Sequence, residues 1–395
     1  MKILIADDLQ ETLLLLKATL VRWGHDVVTA DNGADAFRIV RDQEISMVLS
    51  DWRMPELDGI ELCRKIRTEL NERYIYFILL TSSDDRNELV RGLDEGADDF
   101  ITKPIDFNEL RARIRAGERI VELETSLASK NAMLEESNRQ MERELTMAAD
   151  LQKSLLPPPL LRLNGYDFSG MFIPSTYVAG DLFDFFRIDD DYAAFYLFDV
   201  SGHGASAAML SFSVKKTLSL NQIEGRDLFL RKDPATGVYS LNTPSSILEN
   251  LNRLFSADNE SLQYFTIVLG ILNLREDTIT ISSAGHPPVL YIRNDGSIEP
   301  LPLNGFPAGM FGDSTYQNKM IDMKSGDSLL LYSDGLTDLV FTDNSGLPVG
   351  FEEVASRLDI STAEKFTGAL SSRISMLSSE QKLADDISAV ILKKT

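Results

Sequence analysis

The chain has 395 residues but only one cysteine and three histidines. A single thiol, Cys63, excludes an internal disulfide, and its amphipathic surroundings suit a buried structural thiol. So few soft ligands make a zinc site a poor expectation. No apolar run approaches the roughly 20 residues that would cross a bilayer. The opening residues, MKILIADD, carry one Lys and then two acids, which is not the pattern of a secretory signal. Positive charge is scarce as well: 39 Lys and Arg stand against 61 Asp and Glu, a formal net charge of −22. Such a field repels phosphate backbones and anionic membrane surfaces, so general binding to nucleic acid or membrane is not expected. Together these absences predict a cytoplasmic protein, with part of its acidity available for hard cations.

What is present is ordinary globular material, 44% hydrophobic and 25% charged, in a length that suggests two or three domains. Three regions separate by pattern. Over 1–118, apolar runs at 2–6, 47–50, 76–80 and 100–102, with a weaker one at 26–30, alternate with helical spacing at 11–23, 33–41, 60–70, 87–95 and 108–115. Uninterrupted apolar strands alternating with helices predict an α/β doubly wound domain with a parallel five-stranded sheet covered on both faces.

Over 119–156 there is neither Gly nor Pro, and a seven-residue series runs Ile120, Leu127, Leu134, Met141, Ala148, Leu155. With Glu124, Asn131, Asn138, Leu145 and Gln152 as the intervening a positions, this reads as a coiled-coil connector and predicts a homodimer. A single long helix lying on a neighbouring domain is the alternative. Pro157, Pro158 and Pro159 stop the helix. Over 157–395, strand-like runs at 193–200, 265–273, 278–282, 289–293, 328–333 and 388–392 dominate, with helical stretches at 205–218, 244–255 and 363–375. This predicts an α+β domain, a β-sandwich flanked by helices, with a polar surface loop at 225–241.

Polar residues gather at the carboxyl ends of the N-terminal strands: Asp7 and Asp8, Asp51, Thr81, then Lys103 and Pro104. In an open parallel sheet these ends share one crevice. Three carboxylates there repel one another, which a divalent cation relieves, and Lys103 and Thr81 suit an incoming oxyanion. The chemistry that fits is phosphoryl transfer to a carboxylate.

This stretch resembles the receiver domains of bacterial response regulators over essentially its whole length. The resemblance rests on Asp7 and Asp8, Asp51 in SDWRMPELDG, Thr81, Phe100, and Lys103 with Pro104. It implies that Asp51 is the phospho-acceptor, that Thr81, Phe100 and Lys103 form the switch, and that a sensor histidine kinase is the donor. It also implies Mg²⁺ held by Asp8, Asp51 and the Arg53 carbonyl, assisted by Asp7, and a cis Lys103–Pro104 bond.

The C-terminal region has its own acids beside apolar strands: Asp181 in VAGDLFDFF, Asp199 in FDVSGHG, Asp334 in YSDGLTD, and Asp385 and Asp386 in ADDISAVIL. Carboxylates converging from separate strands favour an oxygen-ligated metal pair able to activate water for attack on a phosphate ester. No Gly-x-Ser-x-Gly elbow or catalytic cysteine motif competes.

These motifs, with AADLQKSLLPPP, SAGHPPVLY and FPAGMF in order, resemble the metal-dependent (PPM-type) protein phosphatases of the bacterial sporulation and stress-response branch, from about Ala148 to the end. The resemblance implies two Mn²⁺ or Mg²⁺ ions. Asp199 would bridge them and the Val200 carbonyl would complete one. Asp334 and Asp385 would hold the other, with Asp181 reaching metal-bound water. Asp184 and Asp386 take solvated or hydrogen-bonding roles, and His203 and His286 structural ones. The phosphate-gripping Arg of eukaryotic cousins has no evident counterpart. The implied substrate is a phosphoserine or phosphothreonine protein, such as an anti-sigma-factor antagonist, dephosphorylated under control of Asp51. The competing expectation is a non-catalytic adaptor that binds a phosphoprotein under receiver control.

Overall fold

A computed structural model of the chain describes residues 1–70, 73–82, 90, 92–202, 204–219, 228–232, 237, 239–257, 263–342, 348–378 and 383–395. Two compact units divide it, Met1–Gln140 and Met141–Thr395.

In the first unit, β1 (Lys2–Ala6), β2 (Asp26–Ala30), β3 (Met47–Asp51), β4 (Tyr76–Thr81) and β5 (Asp99–Thr102) form a fully parallel sheet in the order β2-β1-β3-β4-β5. All six β4 residues are buried, as are four of five in β3, which is why these strands read as unbroken apolar runs. Helices Gln10–Arg22, Gly33–Asp42 and Gly59–Glu69 alternate with the first strands. The last begins in a reciprocal cap, Asp58 accepting from the Glu61 N–H at 2.7 Å while Glu61 accepts from the Asp58 N–H at 3.2 Å. Separate cores fill the two faces, one around Phe37, Val48, Ile66 and Phe77, the other around Leu16, Leu20, Ile78 and Ile114. Of the helix expected at 87–95, residues 90 and 92–94 are helical, and 87–89 and 91 lie outside the described residues.

The helix expected at 108–115 and the connector are one element, a 48-residue helix over Phe107–Ser154. Gly117 does not break it. A Cβ there would sit 2.4 Å from the Met47 side chain and 2.5 Å from Tyr76, so glycine lets the helix backbone lie against the sheet.

The second unit is a sandwich of two antiparallel sheets. One has the order β16-β13-β12-β9-β8: Lys319–Ile321, Thr278–Ala284, Phe265–Asn273, Tyr192–Val200 and Leu182–Arg187. The other runs β15-β14-β17-β20-β7-β6: Ile298–Leu301, Val289–Ile292, Ser328–Tyr332, Ile387–Lys394, Tyr166–Ile173 and Leu160–Leu163. Their facing sides share one core, in which the Phe168 ring lies 5.6 Å from that of Phe185 and 5.8 Å from that of Phe195. Truncating one such ring typically costs about 3–5 kcal/mol. Residues of Ala205–Thr217 and Pro244–Ala257 cover the outer face of the first sheet, and those of Phe351–Ser356 and Ala363–Ser378 that of the second.

The stretch expected as a loop at 225–241 holds, among its described residues, an antiparallel pair, β10 (Leu230–Lys232) with β11 (Tyr239–Leu241), and a second short pair joins β18 (Phe341–Thr342) to β19 (Pro348–Val349). Three-residue strands are too short to leave an alternating signature.

Candidate functional site

The first cluster lies at the carboxyl edge of the parallel sheet. Asp7, Asp8 and Asp51 bring one ligand atom each to within 4.8 Å of one another, and no other trio of His, Cys, Asp or Glu among the described residues does so. The Lys103 ammonium lies 2.9 Å from Asp7 and 2.7 Å from Asp51. Burial raises the Asp51 carboxyl above its ordinary range, Lys103 opposes the rise, and Asp7 adds to it. Burial alone would lower the Lys103 ammonium, but its bonds to Asp51 and Asp7 carry it upward instead. Thr81 is buried, and its carbonyl accepts from the Lys103 N–H at 2.7 Å. Phe100 is half-buried, Arg53 is exposed in the loop after β3, and the Lys103–Pro104 bond is cis.

The second cluster forms where strand ends of the two sheets meet. Asp199 sits one residue before the end of β9, and Asp181 immediately precedes β8, its neighbour. Asp334 follows β17 at a short 3-10 turn, while Asp385 and Asp386 precede β20, the partner of β17. Gly335 makes this approach possible, since a Cβ there would stand 2.1 Å from the Asp386 carbonyl oxygen. Burial first, then the charges of Asp334 and Asp385, push the Asp199 carboxyl up to about 8. Asp181 is raised well above its usual range by burial and by Asp199, and its Oδ2 is buried without a partner. Asp334 is raised by burial and by Asp385. Mutual repulsion of this kind, around an orphaned carboxylate oxygen, is what bound divalent cations relieve, and an all-oxygen donor set suits Mn²⁺ or Mg²⁺. The donor chemistry of these residues therefore fits the metals implied, while no three of their carboxylates come within 4.8 Å of one another as the receiver trio does.

Asp386 does not point into solvent. Its buried carboxylate accepts from the Ser175 N–H (2.7 Å), the Ser175 hydroxyl (2.9 Å) and the Gly180 N–H (2.8 Å), pinning the segment that leads into Asp181. Asp184 pairs with the ammonium of Lys215, a buried residue of Ala205–Thr217 that the sequence reading missed. Lys215 shares the buried face of that helix with Ala208 and Ser211, and this spacing was the available signal. Val200 is buried as the last residue of β9. His286 is buried, and burial lowers its imidazole to about 3, so it is neutral at any working pH. His203 lies outside the described residues.

Gln152 departs from the heptad reading. Placed at an a position by spacing, it is buried within the second unit. There its side-chain amide donates to the Ala179 carbonyl at 2.7 Å and accepts from the Ala179 N–H at 2.9 Å. The seam is therefore replaced at this turn by a clamp two residues from Asp181, because the amide satisfies two backbone groups that would otherwise be buried alone. Gln152→Leu keeps the bulk and orphans both groups, at about 1–3 kcal/mol each. Denaturant unfolding of the second unit is expected to show a loss of about 2 kcal/mol or more. A loss below about 0.5 kcal/mol would sink the clamp.

A family model described as "Stage II sporulation protein E (SpoIIE)" matches residues 189–395, and one described as "Response regulator receiver domain" matches residues 3–115. Phosphoserine phosphatase RsbP of Bacillus subtilis is 28% identical over 196 residues, covering 50% of this chain and 45% of RsbP. The transcriptional regulatory protein PhoP of the same organism is 36% identical over 115 residues, covering 29% of this chain and 47% of PhoP. The chain spans less than half the length of either relative. Among solved structures, the SiaA-PP2C domain of Pseudomonas aeruginosa superposes with a TM-score of 0.52 at 16% identity, covering 65% of this chain and 98% of that domain, a likeness of fold.

Proposed function

For a chain that belongs to the stage II sporulation protein E family and carries a response regulator receiver domain ahead of its PP2C-type phosphatase domain, we propose phosphorylation-controlled dephosphorylation of a phosphoserine or phosphothreonine protein. The proposed division is receiver 1–118, helical connector 119–156 and phosphatase 157–395, the connector's last turns from Met141 lying in the second compact unit. The observation that carries the reading is the gathering of buried Asp181, Asp334 and Asp385 about Asp199, each raised group named above being raised in part by a neighbouring acid.

In this reading Asp199, the Val200 carbonyl, Asp334 and Asp385 would hold two Mn²⁺ or Mg²⁺ ions. Bound there, the metals supply Lewis acidity toward the phosphoryl oxygens and a water of lowered pKa. Asp181, kept in place by Asp386 and Gln152 through the residues before it, would orient the attacking water. The substrate class fits RsbP, whose name is that of a phosphoserine phosphatase, and a small anti-sigma-factor antagonist is the proposed partner.

At the other end, Asp51 would accept a phosphoryl group from a sensor histidine kinase, its Oδ forming the new bond to phosphorus as the bond to the donor nitrogen breaks. Mg²⁺ at Asp7, Asp8, Asp51 and the Arg53 carbonyl would neutralise the incoming charge, as would Lys103. Thr81 and Phe100 would then carry the change. The proposed compartment is the cytoplasm; among the described residues no helix is long and apolar enough to cross a membrane.

The deciding assay is hydrolysis of a phosphoserine peptide by the full chain with Mn²⁺, with and without chelator. Turnover that needs metal supports the reading. Turnover that ignores the chelator refutes it, and binding of phosphoprotein without turnover in either receiver state favours the adaptor.

Dimerisation is proposed from the exposed apolar series Ile120, Leu127, Leu134 and Met141, seven residues apart along the long helix. Light scattering is expected to give twice the chain mass, and Leu127→Asp with Leu134→Asp to halve it. A wild-type monomer would overturn the assignment.

A further inference from the structure

Resting on the two-metal reading above, we infer that Ser333 is a positioning residue whose hydroxyl holds the turn of Asp334 against the turn of Asp385. Ser333 is fully buried, directly after the end of β17. The register of β17 with β20 runs as far as Tyr332 opposite Ala389. One step further, the Ser333 N–H donates to the Ser388 carbonyl at 3.0 Å. The return bond, from the Ser388 N–H, goes to the Ser333 hydroxyl at 2.9 Å. The Ser333 carbonyl is thereby free to accept from the Leu336 N–H at 3.2 Å, within the short 3-10 turn Asp334–Leu336. The hydroxyl thus takes the place of its own carbonyl in the ladder. The chain can turn away at once to present Asp334, with both backbone partners satisfied.

The same hydroxyl has one proton to give, and its nearest carbonyl is that of Asp386 at 3.3 Å, ahead of Ser388 at 3.5 Å. Asp386 follows Asp385 directly, and its N–H donates to the Asp385 carboxylate at 2.8 Å. Its own carboxylate accepts from the Gly180 N–H at 2.8 Å, next to Asp181. Hydrogen bonds therefore run from the Asp334 turn through Ser333 and Asp386 to the residue before Asp181. Alanine at 333 would leave the Ser388 N–H buried without its acceptor, or let the two turns part. Groups one step removed from metal ligands typically change affinity by about 10–100-fold when lost, because they set ligand direction. The same strand holds a matched comparison. Ser328, at the other end of β17, is equally buried, but its hydroxyl has no hydrogen-bond partner.

The receiver's acids also suit Mn²⁺, so the test uses the full chain carrying Asp8→Asn and Asp51→Asn, which leaves Asp7 alone of that trio. Free Mn²⁺ is read by electron paramagnetic resonance as it is titrated with this parent chain. Ser333→Ala is expected to weaken Mn²⁺ binding by roughly tenfold, and Ser328→Ala to leave it within about twofold. Ser333→Cys keeps the shape but offers only a weakly bonding thiol, so it decides the matter where the alanine variant does not fold. Ser333→Thr restores a hydroxyl and is expected to return affinity to within about threefold of the parent. In peptide hydrolysis, Ser333→Ala is expected to need roughly tenfold more Mn²⁺ for half-activation, with kcat at saturating Mn²⁺ within about threefold. Unchanged affinity in Ser333→Ala and Ser333→Cys, or an equal loss in Ser328→Ala, would overturn the inference. Asp199→Asn in the same background separates this failure from the larger one. If the parent binds Mn²⁺, Asp199→Asn abolishes that binding and the Ser333 variants bind normally, only the tie is wrong. If the parent binds no Mn²⁺, or binding survives Asp199→Asn, the metal reading falls and the tie with it.

Discussion

Asp199→Asn is expected to lower kcat/KM toward a phosphoserine peptide by roughly 1,000-fold or more. Metal-supplied stabilisation of a hydrolytic transition state is worth several kcal/mol, and each 1.36 kcal/mol is a factor of ten. Asn keeps the size of the side chain and one oxygen but removes the charge that would bridge two cations. The same change has an opposite signature without metal. In the metal-free protein Asp199 is a buried acid among acids, raised to about 8 by burial and by the charges of Asp334 and Asp385. Deleting its charge relieves that repulsion, so the metal-free variant is expected to melt no lower than metal-free wild type. Adding Mn²⁺ is then expected to raise the Tm of the second unit's transition in the wild type and not in the variant, the receiver's own site being intact in both. Lost turnover joined to a lower metal-free Tm would mean that Asp199 holds the fold rather than the metals. Turnover within tenfold of wild type would remove it from the site altogether.

The second large effect belongs to the receiver. Asp51→Asn is expected to reduce label incorporation from a radioactive acyl phosphate to background, because no other carboxylate joins Asp7 and Asp8 in the one trio found within 4.8 Å among the described residues. The Lys103 ammonium, now 2.7 Å from Asp51, loses one of its two anionic partners. A beryllofluoride mimic is expected to change the phosphatase rate of the wild-type chain and to leave that of Asp51→Asn unchanged. The coupled reading survives either direction of change in the wild type. It fails if the mimic alters neither the rate nor the oligomeric state, or if it acts equally on the variant.

Much of the first unit is legible in the sequence because its strands are buried on both faces and flanked by helices. YFILL and MVLS appear as unbroken apolar runs, and Thr81 and Asp51 follow them directly. The second unit is legible where strands are long, as at Tyr192–Val200 and Phe265–Asn273, and fades where they are short. Lys319–Ile321 gains its place from pairing with β13 rather than from any pattern of its own. The acids at strand ends stand out because Asp beside an apolar run is a visible contrast. What holds them is much less visible. Gln152 bonds chiefly to the backbone of Ala179, with a longer 3.4 Å bond to the Ser211 hydroxyl 59 residues away, which leaves little to notice nearby, and its seven-residue spacing made it look like one more seam position. Lys215 next to Lys216 reads as a solvated pair until the helix phase turns one of them inward against Asp184. Asp386 beside Asp385 looks like a spare ligand, yet its oxygens are engaged by Ser175 and Gly180.

The amide clamp at Gln152 also defines what can be exchanged as a module. Three prolines make residue 157 the obvious joint, yet a fusion made there would discard the glutamine and Leu156, which packs against the cores of the sandwich. A chimaera that replaces everything before Met141 retains both. The portable catalytic cassette therefore begins in the middle of a helix. Any new input module must end in a helix able to continue into it without a break, and a sensor that ends in a loop cannot be grafted at this point.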